Sequence, residues 1–150
     1  MTETPALFED YGAYHRDRRN LICHEIGIPL IVLAIIALLR MVSIPGPLHV
    51  DLGALAIVFT GAYYGSLGAP VRTAAIVAII GMLLLYVVAR YVTWPVAIGA
   101  FVVGWVFQFV GHAYEGKAPA FLTNLLHLLV GPLWVASHLV PSSASSSSAR

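Results

Sequence analysis

Five long apolar runs, almost free of charged residues, constrain this chain more than any other feature. They lie at residues 26–44, 48–68, 71–90, 94–112 and 121–140. An α-helix needs about 20 apolar residues to cross the hydrocarbon core of a bilayer. Backbone groups in lipid are satisfied only within helices or closed barrels, and these continuous runs lack the alternation of barrel strands. The sequence therefore predicts membrane helices.

The composition agrees with this interpretation. Only 10% of the 150 residues are charged, whereas a soluble domain carries about 25%. We expect an all-α integral membrane protein, a compact bundle of four to five transmembrane helices with an N-terminal interfacial helix. Residues 1–140 would form one membrane-embedded metal-binding domain, and 141–150 a disordered Ser-rich tail. Gly131 and Pro132 interrupt the fifth run, which could span, kink or re-enter.

The distribution of charge indicates orientation and excludes some functions. A net charge of +1 gives no field that would recruit nucleic acid, and no basic segment leads into a short apolar core as in a cleaved signal peptide. If all five runs span, the basic residues of the N-terminal side outnumber the others, which favours a cytoplasmic N-terminus. We expect a bacterial inner membrane, or the endoplasmic reticulum in a eukaryote. The N-terminal side would hold Arg16, Arg18, Arg19, Arg72 and Lys117, and the other side Arg40, Arg90 and Arg150.

Three of the six histidines are predicted to share one face of the membrane. His15 and His24 precede the first apolar run, and His112 closes the fourth. An even number of crossings separates them. His15 and His24, nine residues apart, would point to opposite sides of one straight helix. They can share a metal only if the helix breaks between them.

Polar side chains are predicted beside these histidines. Gln108, His112 and Glu115 form one stripe of a helix, and Asn20 stands four residues before His24. Two or three imidazoles with a carboxylate suit a first-row divalent metal, iron(II) if positions stay open for dioxygen, or zinc for hydrolysis. Spacing does not choose between these metals.

The remaining candidates have more than one interpretation. Glu115 could be a ligand, an orienter of a histidine or a partner of Lys117. His127 and His138 lie on nearly one face of a helix together with Asn124, and either histidine could bind metal if the chain turns back at Gly131 and Pro132. His49 is interpreted as a hydrogen-bonding residue of the opposite face, and Cys23 as structural. The glycines at 53, 61, 65 and 68 are spaced for close helix contact.

Two motifs resemble a known family. The stretch "YHRDRRNLICHEIGIP" (14–29) reads H-x4-N-x3-H-x2-G-x-P, and "QFVGHAYEGKAPA" (108–120) reads Q-x2-G-H-x2-E-x3-P-A. Together they resemble the 2-hydroxy fatty acid dioxygenases of fatty acid α-oxidation. The resemblance implies an iron(II) enzyme that uses dioxygen to shorten a 2-hydroxy fatty acid by one carbon. In that family an acidic residue commonly follows the late proline by about six positions, where this chain has His138.

The resemblance also implies roles for individual residues. It carries a metal or catalytic role onto His15, His24 and His112, and a supporting role onto Asn20, Gln108 and Glu115. Apart from the resemblance, Glu115 is also a catalytic candidate, Asn124 a supporting candidate, and His127 and His138 further metal candidates. Arg16 and Arg19 could bind the substrate carboxylate, lipid phosphate or neither, as plain topology signals. The acyl tail would lie in a groove lined by segments 52–67 and 98–110. The alternatives are a non-catalytic membrane scaffold, which could be a homo-oligomer, and another metal-dependent lipid hydroxylase or hydrolase.

Overall fold

The fold of the described residues, 17–118 and 127–140 of a computed structural model, is all-α. A three-residue 3₁₀ turn, Ala69–Val71, connects the second helix to the third. The expected Ser-rich tail, 141–150, lies outside the described part. The expected N-terminal interfacial helix is described only from residue 17 onward, where it is continuous with the first apolar run. The helices within the described part are α1 (Arg18–Arg40), α2 (Leu52–Ser66), α3 (Arg72–Ala89), α4 (Trp94–Glu115) and α5 (His127–Leu139).

Three helical segments of the described residues are long and apolar enough to cross a membrane: Arg18–Arg40, Ala69–Ala89 and Trp94–Glu115. The second apolar run forms the shorter helix α2, and the described part of the fifth run forms α5. The number of helices that cross the membrane, four to five, stays a prediction. The second run is shortened because residues 42–51 form a tight turn, in which Ile44 N donates to Val50 O at 2.8 Å. Pro132 lies inside α5 without ending it.

Helix α1 begins eight residues before the first apolar run. Asp17 has an extended backbone, and its side chain accepts from Arg19 N at 2.8 Å, which caps the helix. The backbone N–H of Arg19, followed by its side chain, lowers the pKa of the Asp17 carboxyl. The cap is therefore anionic where the positive end of the helix dipole favours it. As a result, Asn20, His24 and the first membrane span belong to one continuous helix.

Helices α1 and α4 approach each other closely because three glycines lie between them. A Cβ added to Gly104 would meet Gly27 O at 2.9 Å and Ile31 Cγ1 at 2.7 Å. A Cβ added to Gly111 would meet Cys23 Cβ at 2.9 Å. Small residues allow membrane helices to pack backbone against backbone.

Of the four glycines that were predicted to make close helix contacts, at 53, 61, 65 and 68, only Gly53 does so. Gly53 is in close contact, since its Cβ would meet Arg40 Cγ at 2.9 Å. A Cβ on Gly61 would make an ordinary contact at 3.5 Å, and one on Gly65 would meet nothing within 4 Å. Gly68 has φ +89°, which permits the turn before α3.

A polar cluster joins three helices at the end of the bundle opposite to Asp17. Tyr86 Oη donates to Asp51 Oδ2 at 2.6 Å, and Arg40 Nε lies 3.6 Å from the same oxygen. Asp51 also caps α2 by accepting from Ala54 N at 2.8 Å. Arg40 donates through Nη1 to Ala89 O at 3.3 Å. These bonds fix the ends of α1 and α3 and the start of α2 around one buried carboxylate.

Large apolar side chains cover much of the outer surface. Phe59 of α2 is 71% exposed and Leu84 of α3 is 63% exposed, and α4 adds Val102 and Val106. Exposed apolar area on this scale marks a surface that is covered by something other than water. Together with the three long apolar helices, it indicates a membrane protein.

We predict that Gly104→Ala lowers the free energy of unfolding by about 1–3 kcal/mol, because its methyl group must separate α1 from α4. Gly99→Ala is the matched control on the same helix, since a Cβ there meets nothing within 4 Å. It should be neutral or stabilise the helix by about 0.5–1 kcal/mol. Titration of detergent-purified protein with dodecyl sulfate measures both. Equal effects of the two substitutions would contradict the close-contact account.

Candidate metal centre

The close contact of α1 and α4 brings two buried histidines together. His24 is 1% exposed and His112 is 5% exposed. Their ring centroids are 4.9 Å apart, and the rings meet edge to face at 81°. Both lie near the Asp17 end of the bundle, about two turns into α1 and in the last turn of α4. Buried ionisable groups in a membrane protein are costly and usually functional.

The hydrogen bonding of His24 fixes its tautomer. His24 Nδ1 lies 3.0 Å from Asn20 O. A carbonyl oxygen only accepts, so Nδ1 carries the proton and donates it. In the neutral ring, Nε2 then keeps its lone pair. A histidine oriented by a backbone carbonyl through one nitrogen is the usual arrangement of a metal ligand that binds through the other.

Gln108 lies one helical turn before His112 and is 6% exposed. Its Nε2 is buried and has no hydrogen-bond partner among the described residues. A Cβ on Gly27 would collide with this nitrogen, so the glycine makes the space that the amide fills. A buried amide in this state is suited to bind a polar ligand between α1 and α4, because leaving it unsatisfied is costly.

Glu115 joins the end of α4 to the start of α1. Its Oε2 accepts from Asp17 N at 2.8 Å and from Asn20 Nδ2 at 3.2 Å. Asn20 is fully buried and supplies the carbonyl that holds His24. Glu115 thereby positions the turn of α1 that orients the histidine. The three roles that the sequence left open for Glu115, as a ligand, an orienter of a histidine or a partner of Lys117, stay predictions.

Arg19 lies on the outer side of the same helix end. Its Nη2 is 3.4 Å from Asp17 Oδ2, and its Cζ stands 4.5 Å from the centre of the Tyr114 ring. The side chain is 67% exposed. A guanidinium held over an aromatic ring keeps its charge near the membrane face. It is therefore available to an anionic head group that approaches the two histidines.

The donor set fits a divalent first-row metal. A metal about 2.1 Å from a ring nitrogen lies about 3 Å from the ring centre, so two imidazoles on one metal have centres roughly 4 to 6 Å apart. The separation of His24 and His112 falls in this range. Within the described residues, no three His, Cys, Asp or Glu side chains lie close enough to hold a metal together. A metal held between His24 and His112 would therefore need further ligands.

Several predicted residues lie outside the description. His15, Arg16 and Asn124 are not among the described residues, and only the backbone of His127 is. Because α1 begins at Arg18, the helical phase of His24 does not constrain position 15. A metal shared by His15 and His24 requires a break in the helix between them. The start of α1 at Arg18 is compatible with such a break.

His138 is engaged within its own helix. It lies at the exposed end of α5. Its Nδ1 donates to Trp134 O at 2.9 Å, and its ring packs on Trp134 with centroids 4.1 Å apart. It belongs to no described group of three potential ligands. His49 lies in the turn between α1 and α2, with φ +46°.

Three residues that contact the surroundings of the histidine pair were not predicted from the sequence. Asp17 was not considered, although an aspartate before a helix is a recognisable capping signal. Cys23, interpreted as structural, lies beside Gly111 in the helix contact. Tyr114, the partner of Arg19, gave no signal, because an aromatic residue near a helix end is also typical of the membrane interface.

Comparison with known proteins identifies the family of the chain. Residues 1–142 match the family model described as Mpo1-like, 2-hydroxy-palmitic acid dioxygenase Mpo1-like. The chain belongs to this family. The resemblance inferred from the two motifs is thus confirmed. The Mpo1-like family is one of 2-hydroxy fatty acid dioxygenases, and the match covers both His24 and His112.

One curated relative extends the comparison. The chain is 32% identical to the 2-hydroxy-palmitic acid dioxygenase MPO1 of Saccharomyces cerevisiae over 122 residues. The alignment covers 80% of this chain and 69% of the yeast protein. No solved structure matches the chain.

We predict that Glu115→Ala lowers the free energy of unfolding by about 1–3 kcal/mol, because Asp17 N and buried Asn20 Nδ2 lose this acceptor. Glu115→Gln keeps an acceptor oxygen and should retain most of the stability. Glu25→Ala is the control, an exposed carboxylate on α1, the helix that carries Asn20, and should change stability little. The measurement is unfolding in dodecyl sulfate. Equal stability of Glu115→Ala and Glu25→Ala would contradict the role of Glu115.

Proposed function

We propose that this protein is an iron(II)-dependent dioxygenase that shortens 2-hydroxy fatty acids by one carbon at the membrane face. The observation that carries the proposal is the buried pair His24 and His112, whose rings meet edge to face while Asn20 O orients the His24 ring through Nδ1. Membership of the Mpo1-like family supplies the substrate class. His24 and His112 would hold the metal, and the predicted ligands among His15, Glu115, His127 and His138 would complete its shell.

When bound, iron(II) would supply the site at which dioxygen is activated and the hydroxy acid is oxidised. The overall conversion balances without another reductant. One dioxygen oxidises one 2-hydroxy acid to carbon dioxide, water and the carboxylic acid one carbon shorter. The bond that breaks lies between the carboxyl carbon and the hydroxyl-bearing carbon.

The described residues perform the binding and orienting tasks. The unsatisfied Gln108 Nε2 donates to an oxygen of the substrate head group. Arg19, held by Asp17 and Tyr114 at the outer edge, attracts the carboxylate from the interface. Asn20 O keeps the His24 ring in one orientation, and Glu115 keeps Asn20 in place. Burial of both histidines limits the access of bulk water.

The site faces the cytoplasm in this proposal. Arg18 and Arg19 lie at the Asp17 end of α1, Arg72 starts α3, and Lys117 follows α4. Antiparallel helices place these ends together. Arg40 and Arg90 lie at the other end. The excess of basic residues favours a cytoplasmic location for the site, in a bacterial inner membrane or on the endoplasmic reticulum.

The test combines metal content with product analysis. Wild type, His112→Ala and His49→Asn are purified in detergent, loaded anaerobically with iron(II), and then given dioxygen and 2-hydroxypalmitic acid. We expect near-stoichiometric iron and pentadecanoic acid from wild type, and loss of both in His112→Ala because a ligand is removed. His49→Asn should match wild type, since asparagine tolerates the positive φ of a turn distant from the site.

Two results would contradict the proposal. Iron content of His112→Ala equal to that of wild type would exclude the histidine pair as the metal site. Iron-loaded wild type that consumes no dioxygen with the hydroxy acid would exclude the dioxygenase. Stoichiometric zinc together with hydrolysis of a lipid ester would show that the protein is a metal-dependent hydrolase and not a dioxygenase.

A further inference from the structure

An apolar groove begins close to the histidine pair. It has a volume of about 300 Å³ and lies between α1, α3 and α5. Every residue that lines it is apolar, and none carries a charge. Its walls include Ile28, Val32, Gly81, Leu85, Val135 and Leu139.

The near end of the groove lies one helical turn from His24. Ile28 stands four residues after His24 on the same stripe of α1, about 6 Å along the axis. Val32 continues the stripe for another turn and also lines the groove. The path therefore leads from the histidines at the membrane face toward the apolar middle of the bundle.

Helix α5 forms one wall of the groove by packing on α1. Val130, Trp134 and Val135 form a buried cluster with Ile28. Tyr64 Oη donates to Leu129 O at 2.6 Å, which fixes the start of α5 to α2. The wall is thus held in place by both packing and a hydrogen bond.

We propose that this groove binds the acyl tail of the 2-hydroxy fatty acid, a proposal that rests on the proposed function. The head group lies at His24 and His112, and the methylene chain follows Ile28 and Val32 between α3 and α5. The occupant is an acyl chain because the lining is wholly apolar and because Ile28 and Val32, which belong to its α1 wall, continue the stripe of α1 that carries His24. From the sequence, segments 52–67 and 98–110 were expected to line the acyl groove; this proposal places the tail between α1, α3 and α5.

A second groove of the described residues serves as the alternative. It lies between α2 and α3, has a volume of about 380 Å³, and includes Gly65 and Arg72. No residue of α1 or α4 lines it, so it is not continuous with the helices that carry the histidines. The two grooves can be distinguished because each contains a glycine that faces open space, Gly81 in the first and Gly65 in the second.

The experiment fills each groove with a side chain. Gly81→Phe fills the groove proposed for the acyl tail, Gly65→Phe fills the second, and Gly99→Phe lies on α4 where a Cβ also meets nothing within 4 Å. Each variant is assayed for kcat/KM with 2-hydroxypalmitic acid and with 2-hydroxyoctanoic acid. Each pair of methylenes excluded from the groove should cost about tenfold. Gly81→Phe should therefore lower the long-chain to short-chain ratio by about tenfold or more, whereas the other two variants keep it.

A binding measurement separates this proposal from the proposed function. In a Trp94→Phe, Trp105→Phe background, Trp134 reports on the groove because it packs beside Ile28 and Val135. A 2-hydroxypalmitic acid brominated in mid-chain should quench Trp134 fluorescence, and Gly81→Phe should weaken the quenching. Gly81→Leu is used in both assays if Gly81→Phe does not fold.

The outcomes are distinct. Quenching that Gly81→Phe removes supports the groove even if no shortened acid is formed, in which case only the proposed function fails. Turnover with no quenching, or a chain-length ratio altered by Gly65→Phe and not by Gly81→Phe, overturns the acyl site. An unchanged ratio in folded Gly81→Phe and Gly81→Leu overturns it as well.

Discussion

The contact between α1 and α4 is the interaction on which the rest of the structure depends. Gly27, Gly104 and Gly111 remove the side chains that would otherwise keep the two backbones apart. Because lipid is as apolar as a leucine side chain, helices in a membrane associate mainly through such close packing and through polar contacts. The histidine pair lies at the end of this contact, so its spacing follows from the glycines.

Each end of the bundle has a carboxylate that joins helices, but the hydrogen bonding around the two carboxylates differs. At one end Asp51 is surrounded by donors from three helices, and Tyr86 and Arg40 both reach its Oδ2. At the other end Glu115 also joins two helices, but Gln108 Nε2 remains unsatisfied within the described part. The Asp51 carboxylate is fully engaged by its donors, although Arg40 Nε beside it makes an ion pair and no hydrogen bond among the described residues. The Gln108 amide nitrogen, one turn before His112, has neither among those residues, so it is the atom better suited to a ligand.

Much of the fold and part of the site could be predicted from the sequence, because both follow from local periodicity. Apolar runs predicted helices, and counting crossings placed His24 and His112 on one face. The structure does bring these two together, while their role as metal ligands remains a prediction. The continuity of α1 across Arg18–Arg40 was not predicted, because a separate interfacial helix was expected before the first apolar run. The shortened α2 depends on the turn before it. The contact glycines were misassigned because Gly27, Gly104 and Gly111 become partners only when two distant helices meet.

Counting the imidazole nitrogens on a bound metal tests the account most directly. Copper(II) can replace iron(II) for this purpose, and pulsed electron paramagnetic resonance resolves the coupling of each coordinated imidazole. The account predicts at least two imidazoles in wild type and one fewer in His24→Ala, with the folded bundle retained. An unchanged count in folded His24→Ala would contradict it, because the metal would then be held without the residue that the α1–α4 contact brings to His112.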